Sequence, residues 1–158
     1  MTTTATGLTT STNEMLKTLR AALLNYQNRN GGSLRDLIGE NLFRTRMPDA
    51  QPFPCGTVRL TTRNDGKYHG LRLEGKLEVQ LYGRPWSELP AITDAADLCD
   101  QAMTFYVANV SGLMFTHAFQ RDELPAAGSP VDSETCAIRL VYSLAIWPTY
   151  LTQLTQPS

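Results

Sequence analysis

The segment "GLRLEGK", Gly70 to Lys76, sets glycines and a lysine at the G-x-x-x-x-G-K spacing of a phosphate-binding loop. That chemistry needs a strand, a glycine-rich turn whose N–H groups point at phosphates, and a helix that begins at once. It also needs a Ser or Thr hydroxyl for Mg²⁺ after the lysine. Leu77 stands where that hydroxyl belongs. From there Leu77, Val79 and Leu81 alternate with Glu78, Gln80 and Tyr82, the period of a strand. A strand spends its N–H groups on its neighbours, so the segment reads as a strand with a glycine near its start, and nucleotide hydrolysis is set aside.

Other reactive side chains are sparse. His69 and His117 fall on separate predicted strands without further ligands at workable spacing, so each reads as a surface or hydrogen-bonded imidazole. Cys55, Cys99 and Cys136 are widely separated, with no C-x-x-C and no neighbouring His, and read as small buried hydrophobes. No G-x-S-x-G elbow is present, and Ser111-Gly112 and Gly128-Ser129-Pro130 read as turns. Asp94, Asp97 and Asp100 recur at spacings of three on a predicted helix. They read first as a solvated face and second as an interface for a partner's arginines. Trp86 reads as a core edge, and Trp147 as a core edge or a subunit contact. No catalytic, cofactor-binding or metal-binding residue is assigned, and the expectation is a protein that is not an enzyme.

The elements that position these residues follow from composition and pattern. With 158 residues, 42% hydrophobic and 18% charged, the chain is expected to form one domain able to bury a core without disulfide or metal staples. Fourteen Lys and Arg against 15 Asp and Glu leave a net charge of -1, unlike the clustered basic excess of a nucleic-acid binder. There is no long apolar run for a membrane span. The start "MTTTATGLTTSTNE" lacks the basic and apolar regions of a signal peptide, so a reducing cytosol is the expected setting.

Residues 1 to 12 are threonine-rich and aperiodic and read as a flexible arm that orders on contact with a partner; 13 to 148 read as the domain and 149 to 158 as a tail. Ser11 and Glu14 form a capping-box pattern. Met15, Leu16, Leu19, Ala22, Leu23 and Tyr26 then predict a helix ending near Asn30-Gly31-Gly32, followed by a short turn capped by Ser33 and closed by Gly39. Asn41 to Pro54 reads as an extended connection. Thr57 to Arg63 predicts a strand, Asn64-Asp65-Gly66 a turn, and the stretch to Tyr82 its hairpin partner. Ser87 to Val110 predicts a helix, Leu113 to Gln120 a strand, and Arg121 to Glu134 a polar connection. Cys136 to Ile146, apolar at nearly every position, predicts a central strand covered on both faces or buried by a neighbouring subunit. The fold class expected is α+β, a mainly antiparallel sheet of about four strands packed against the N-terminal helix and the long central helix.

The Pro-rich "MPDAQPFPCGTVRL", the strand-into-helix stretch "VQLYGRPWSELPAITDAADLCDQAM" and the final "AIRLVYSLAIW" resemble the tail-completion or tail-terminator proteins of long-tailed bacteriophages. The likeness spans roughly Leu16 to Ile146 and rests on element order and residue character. It implies a virion protein, assembled in the host cytoplasm, that forms a hexameric ring on the tail tube and ends tube polymerisation. Its partners would be itself, the tail tube protein and the head connector, with DNA only as transiting cargo, no cofactor and no membrane. The alternatives are another neck component, such as a head-completion or connector protein, and a small-molecule-binding enzyme domain.

Two residue sets are expected to matter in such a ring. "GLMFTHAFQ" and "CAIRLVYSLAIW" carry more apolar surface than one sheet face needs, which makes Leu113, Phe115, Phe119, Val141, Leu144 and Trp147 candidates for the subunit interface. In the connection after Gln120, Asp122, Glu123, Asp132 and Glu134 outnumber Arg121, giving either a channel-lining loop that repels DNA or an ordinary solvated loop.

Overall fold

In the computed structural model, which describes residues 12–44, 53–64, 73–84, 86–107, 117–124 and 135–146, helix α1 covers Thr12–Asn25. The helical spacing of Met15, Leu16, Leu19, Ala22 and Leu23 buries all five, with Leu24, while Glu14, Lys17 and Thr18 face solvent. The helix stops short of the expected Asn30-Gly31-Gly32 because Asn28 turns the chain first. Its Oδ1 accepts from the N–H groups of Asn30 (3.0 Å) and Gly32 (2.8 Å), and Gly31 adopts φ 79°. Helix α2, Leu34–Ile38, begins at Ser33, whose hydroxyl accepts from the Asp36 N–H while the Asp36 carboxylate accepts from the Ser33 N–H. Ser11, the rest of the threonine-rich arm and the C-terminal tail lie outside the described residues.

The fold is α+β, and among the described residues its sheet has five strands where about four were expected. These are β1 (Leu42–Phe43), β2 (Cys55–Asn64), β3 (Leu73–Gly83), β4 (His117–Leu124) and β5 (Cys136–Ile146), in the spatial order β1-β2-β3-β5-β4. The extra strand lies within the segment read as an extended connection and runs parallel to β2. Arg20 of α1 holds it, donating from Nε to the Leu42 carbonyl (2.5 Å) and from Nη2 to the Glu40 carbonyl (3.0 Å). The four long strands are antiparallel. Gly75 and Lys76 lie inside β3, opposite Thr62 and Thr61, so the phosphate-loop spacing is spent on a sheet ladder.

A short 3-10 turn, Trp86–Glu88, leads into α3, Leu89–Phe105, with Pro90 in the first turn where its missing N–H costs little. The expected helix to Val110 ends earlier, with the Tyr106 N–H donating to the Ala102 carbonyl, and residues 108–110 lie outside the described residues. Ile92, Ala95, Ala96, Leu98, Cys99, Ala102 and Met103 are buried. Helix α3 packs on β3 and β5, α1 on β2, and α2 on both helices, so the helices share one face of the sheet. The core consists of that face: Val58 and Leu60 of β2, Leu77, Val79 and Leu81 of β3, and Ile138, Leu140, Tyr142 and Leu144 of β5.

Two expectations about the last strands are corrected by the register. In β5 the residues between the core positions are Ala137, Arg139, Val141, Ser143 and Ala145, so only one face of the strand is a continuous apolar run. The letters look apolar because the second face uses Ala and Val, small side chains that need no covering layer. Likewise β4 continues to Leu124, so Arg121, Asp122 and Glu123 belong to a strand and not to a loop. They are stable there because Arg121 meets carboxylates on the helix side and Asp122 meets Arg139 on the other.

Gly56 pairs with Leu42 on one side and Leu81 on the other. A Cβ there would sit 2.9 Å from the Gln80 carbonyl oxygen, 3.0 Å from Leu81 Cδ2 and 3.1 Å from Leu42 Cδ1. Gly56→Ala is expected to cost about 1–3 kcal/mol by forcing these neighbours apart, read as a lower midpoint in urea denaturation.

Candidate functional site

The reactive residues singled out in the sequence do not converge. Cys55, Cys99 and Cys136 are free and buried. Burial, with a smaller contribution from nearby carboxylates, pushes the Cys99 thiol up to about 12 and the Cys55 thiol up to about 11, so neither offers a thiolate at neutral pH. His69 lies outside the described residues, and His117 occupies the first position of β4, paired with Leu144. No group of three His, Cys, Asp or Glu suited to a metal is found among the described residues. The surface has open depressions, one of about 510 Å³ lined by Tyr26, Asn28, Arg29, Gln101 and the exposed Phe105. Its lining is mostly amides, with the Tyr26 phenol and the Arg29 guanidinium but no carboxylate, imidazole or thiol.

The acidic residues of α3 do meet an arginine, from the same chain. Arg121 of β4 reaches under the helix, with Nη1 2.7 Å from Asp97 Oδ1 and 3.4 Å from Asp100 Oδ2. The other Asp100 oxygen accepts from the hydroxyl of Tyr142, a fully buried side chain of β5. Burial chiefly raises the pKa of Asp100, opposed by the Tyr142 hydrogen bond and the Arg121 charge. Burial likewise raises the Tyr142 hydroxyl, which remains a donor. Asp94 and Asp97 are exposed, as the solvated-face reading expects, and half-buried Asp100 departs from it; Asp97 and Asp100 together hold Arg121 of β4 against α3.

The opposite face of the sheet is open and charged. Period-two alternation sends Thr57, Arg59, Thr61 and Arg63 of β2, Glu74, Lys76, Glu78, Gln80 and Tyr82 of β3, Arg139, Val141 and Ser143 of β5, and Gln120 and Asp122 of β4 to this side. An ion-pair ladder crosses the four strands. Arg59 lies 3.5 Å from Glu78, Glu78 lies 3.9 Å from Arg139, and Arg139 lies 3.2 Å from Asp122. Arg63 pairs with Glu74 at 2.5 Å, and Tyr82 donates to Gln80, which donates to Glu78. Each exposed pair contributes roughly 0–1 kcal/mol, so the ladder sets the character of the surface more than its stability.

The expected interface residues are dispersed. Leu144 is 4% exposed and belongs to the core beneath the helices, whereas half-buried Val141 lies on the open face opposite Glu78 and Gln120. Phe119 pairs with Tyr142 in the register, and Leu113, Phe115 and Trp147 lie outside the described residues. Of the expected channel-loop acids, Asp122 belongs to the open-face ladder and Glu123 is paired with Ile138 in the register, while Asp132 and Glu134 lie outside the described residues. Sequence reading passed over Arg59, Glu78 and Arg139. Their alternation with core residues was the available signal, and the strand order that brings them side by side was missing.

No protein-family model matches the chain, and no curated protein matches it. Among the described residues, no helix is long and apolar enough to cross a membrane.

Proposed function

We propose that the protein is a tail-terminator subunit of a long-tailed bacteriophage, a virion component that closes the tail tube as a ring and offers the joining surface to the head connector. The observation that carries this reading is the one-sided sheet. Among the described residues α1 and α3 cover one face, with α2 packed on both, and the other face is left as a broad polar surface without a catalytic constellation. A subunit of that shape has surface to give to neighbours and little to give to a small substrate. The charge balance of the open face supports the same reading. Each of its arginines lies beside a carboxylate, so the face would meet DNA without the counterion release that makes phosphate binding tight.

The proposed partners are further copies of the chain, the tail tube protein and the connector, with assembly in the host cytoplasm. Native mass spectrometry and negative-stain microscopy test this directly. The expected result is a ring of six times the 17.5 kDa subunit, free in solution or formed on tube ends, that shortens tubes when added during their polymerisation. A protein that stays monomeric, ignores tube ends and leaves tube length unchanged would overturn the proposal.

A further inference from the structure

The helix layer does not reach every strand equally. Among the described residues α1 packs on β2 and α3 on β3 and β5, while β4 has β5 as its main neighbour. The described side chains of β4 stand outside the apolar core: Gln120 is exposed, and Arg121 and Asp122 are half-buried. Apolar burial therefore contributes little along Gln120–Asp122, and backbone ladder and charge must hold that part of the strand.

Two adjacent residues of opposite sign supply the charge. Arg121 turns to the helix side, with Nη1 2.7 Å from Asp97 and 3.4 Å from Asp100 of α3, and the second oxygen of Asp100 is taken by the Tyr142 hydroxyl of β5. Asp122 turns to the open face, 3.2 Å from Arg139 of β5, whose guanidinium also lies 3.9 Å from Glu78 of β3. The strand is thus tied on both faces by arginine–aspartate pairs. Side-chain exposure within those pairs is 27% and 53% for Arg121 and Asp97, 27% and 23% for Arg121 and Asp100, and 38% and 34% for Arg139 and Asp122. Salt screens charges so placed, and it leaves the apolar contacts of β2, β3 and β5 in force.

We infer that Arg121 and Asp122 form an electrostatic latch: β4 parts from β5 and α3 in a local opening of its own, short of global unfolding, and ionic strength sets how often it does so. The inference stands apart from the ring reading and holds for a single subunit. Opening bares the side of β5 that β4 covers, from Ala137 to Leu144, and takes from Asp97 and Asp100 their cation, so the latch governs access to the flank shared by β5 and α3.

Amide hydrogen exchange of the full chain, resolved by NMR, tests the latch, and β5 carries its own reference. Within the β3–β5–β4 ladder its N–H groups are directed in part at β4 and in part at β3, and opening of β4 frees only the first set. The β5 amides directed at β4 are expected to exchange at least about tenfold faster than those directed at β3, and severalfold faster again as sodium chloride is raised. Arg121→Gln is expected to give the fast exchange already at low salt and to remove most of the salt response. Arg63→Gln, which breaks the Arg63–Glu74 pair between β2 and β3, is expected to leave the β4-directed amides as they were. Asp97→Asn provides a milder second variant that spares the Asp100 contact, with a smaller acceleration expected. Equal protection of the two sets of β5 amides would overturn the local opening. Exchange that ignores salt, or a salt response that survives unchanged in both Arg121→Gln and Asp97→Asn, would overturn the latch.

Discussion

Leu144→Asp is expected to remove much of the stability of the fold, whereas Val141→Asp, three residues earlier on the same strand, is expected to leave the chain folded. Leu144 is 4% exposed and belongs to the core cluster beneath the helices. Replacing it removes about 3 kcal/mol of buried apolar contact and leaves a carboxylate without a partner, for a total above about 4 kcal/mol. That is a large part of the roughly 5–15 kcal/mol that holds a domain of this size together. Val141 points the other way, between Glu78 and Gln120. An Asp there loses little burial and gains a like charge opposite Glu78, costing about 1 kcal/mol. Urea denaturation followed by circular dichroism separates the two. Equal losses would contradict the one-sided sheet.

Arg121→Met is expected to cost about 2 kcal/mol at neutral pH, and the loss is expected to shrink as the solution is acidified. Asp100 and Arg121 are 23% and 27% exposed, so their attraction is only partly screened by water. In the native protein Asp100 titrates above its ordinary 3.8, chiefly because it is buried. A carboxyl whose folded pKa is raised contributes stability that is fully present below its unfolded pKa and is lost as pH rises through the folded value. At neutral pH the ionised Asp100 is therefore a cost, and Arg121 and the Tyr142 hydroxyl offset it. Removing Arg121 raises that pKa further and widens the window over which acid restores stability. Thermal melts across the pH range read the effect directly. A deficit that stays constant across the pH range would mean that Arg121 acts by packing its aliphatic stem and not through the charge of Asp100. Asp100→Asn, which keeps an acceptor for Tyr142, is expected to flatten the pH dependence.

Elements specified by neighbours in sequence were legible. The alternation of Leu77, Val79 and Leu81 gives β3, the Ser33–Asp36 box gives α2, and the Ile92–Ala95–Ala96–Cys99 stripe gives α3, because each signal is local and periodic. Features that depend on a distant partner were not. Strand β1 is held by Arg20, a residue of α1 that no local pattern links to Leu42. The "RDEL" end of β4 reads as a polar loop until the carboxylates of α3 and the guanidinium of Arg139 are set around it. The charged ladder is the extreme case. Glu78 and Arg139 are far apart in the chain and become neighbours only because β3 and β5 lie side by side at the centre of the sheet.

That strand order also governs how the molecule can assemble in time. Strands β2 and β3 are consecutive antiparallel neighbours, as are β4 and β5, so each pair closes over a short stretch of chain, whereas the central β3–β5 seam joins segments separated by all of α3. Contacts of long sequence separation pay their loop-closure entropy late, so the seam forms after the two pairs and after α3 has a core to dock on. Before the seam closes, β2 and β4 belong to two independent ribbons and are not opposite edges of one sheet. Their apolar faces are not yet joined into the single surface on which the helices pack. Closure of the seam is thus the step that buries the apolar face shared by β3 and β5 beneath α3, and a chain halted before it leaves that face exposed to aggregation.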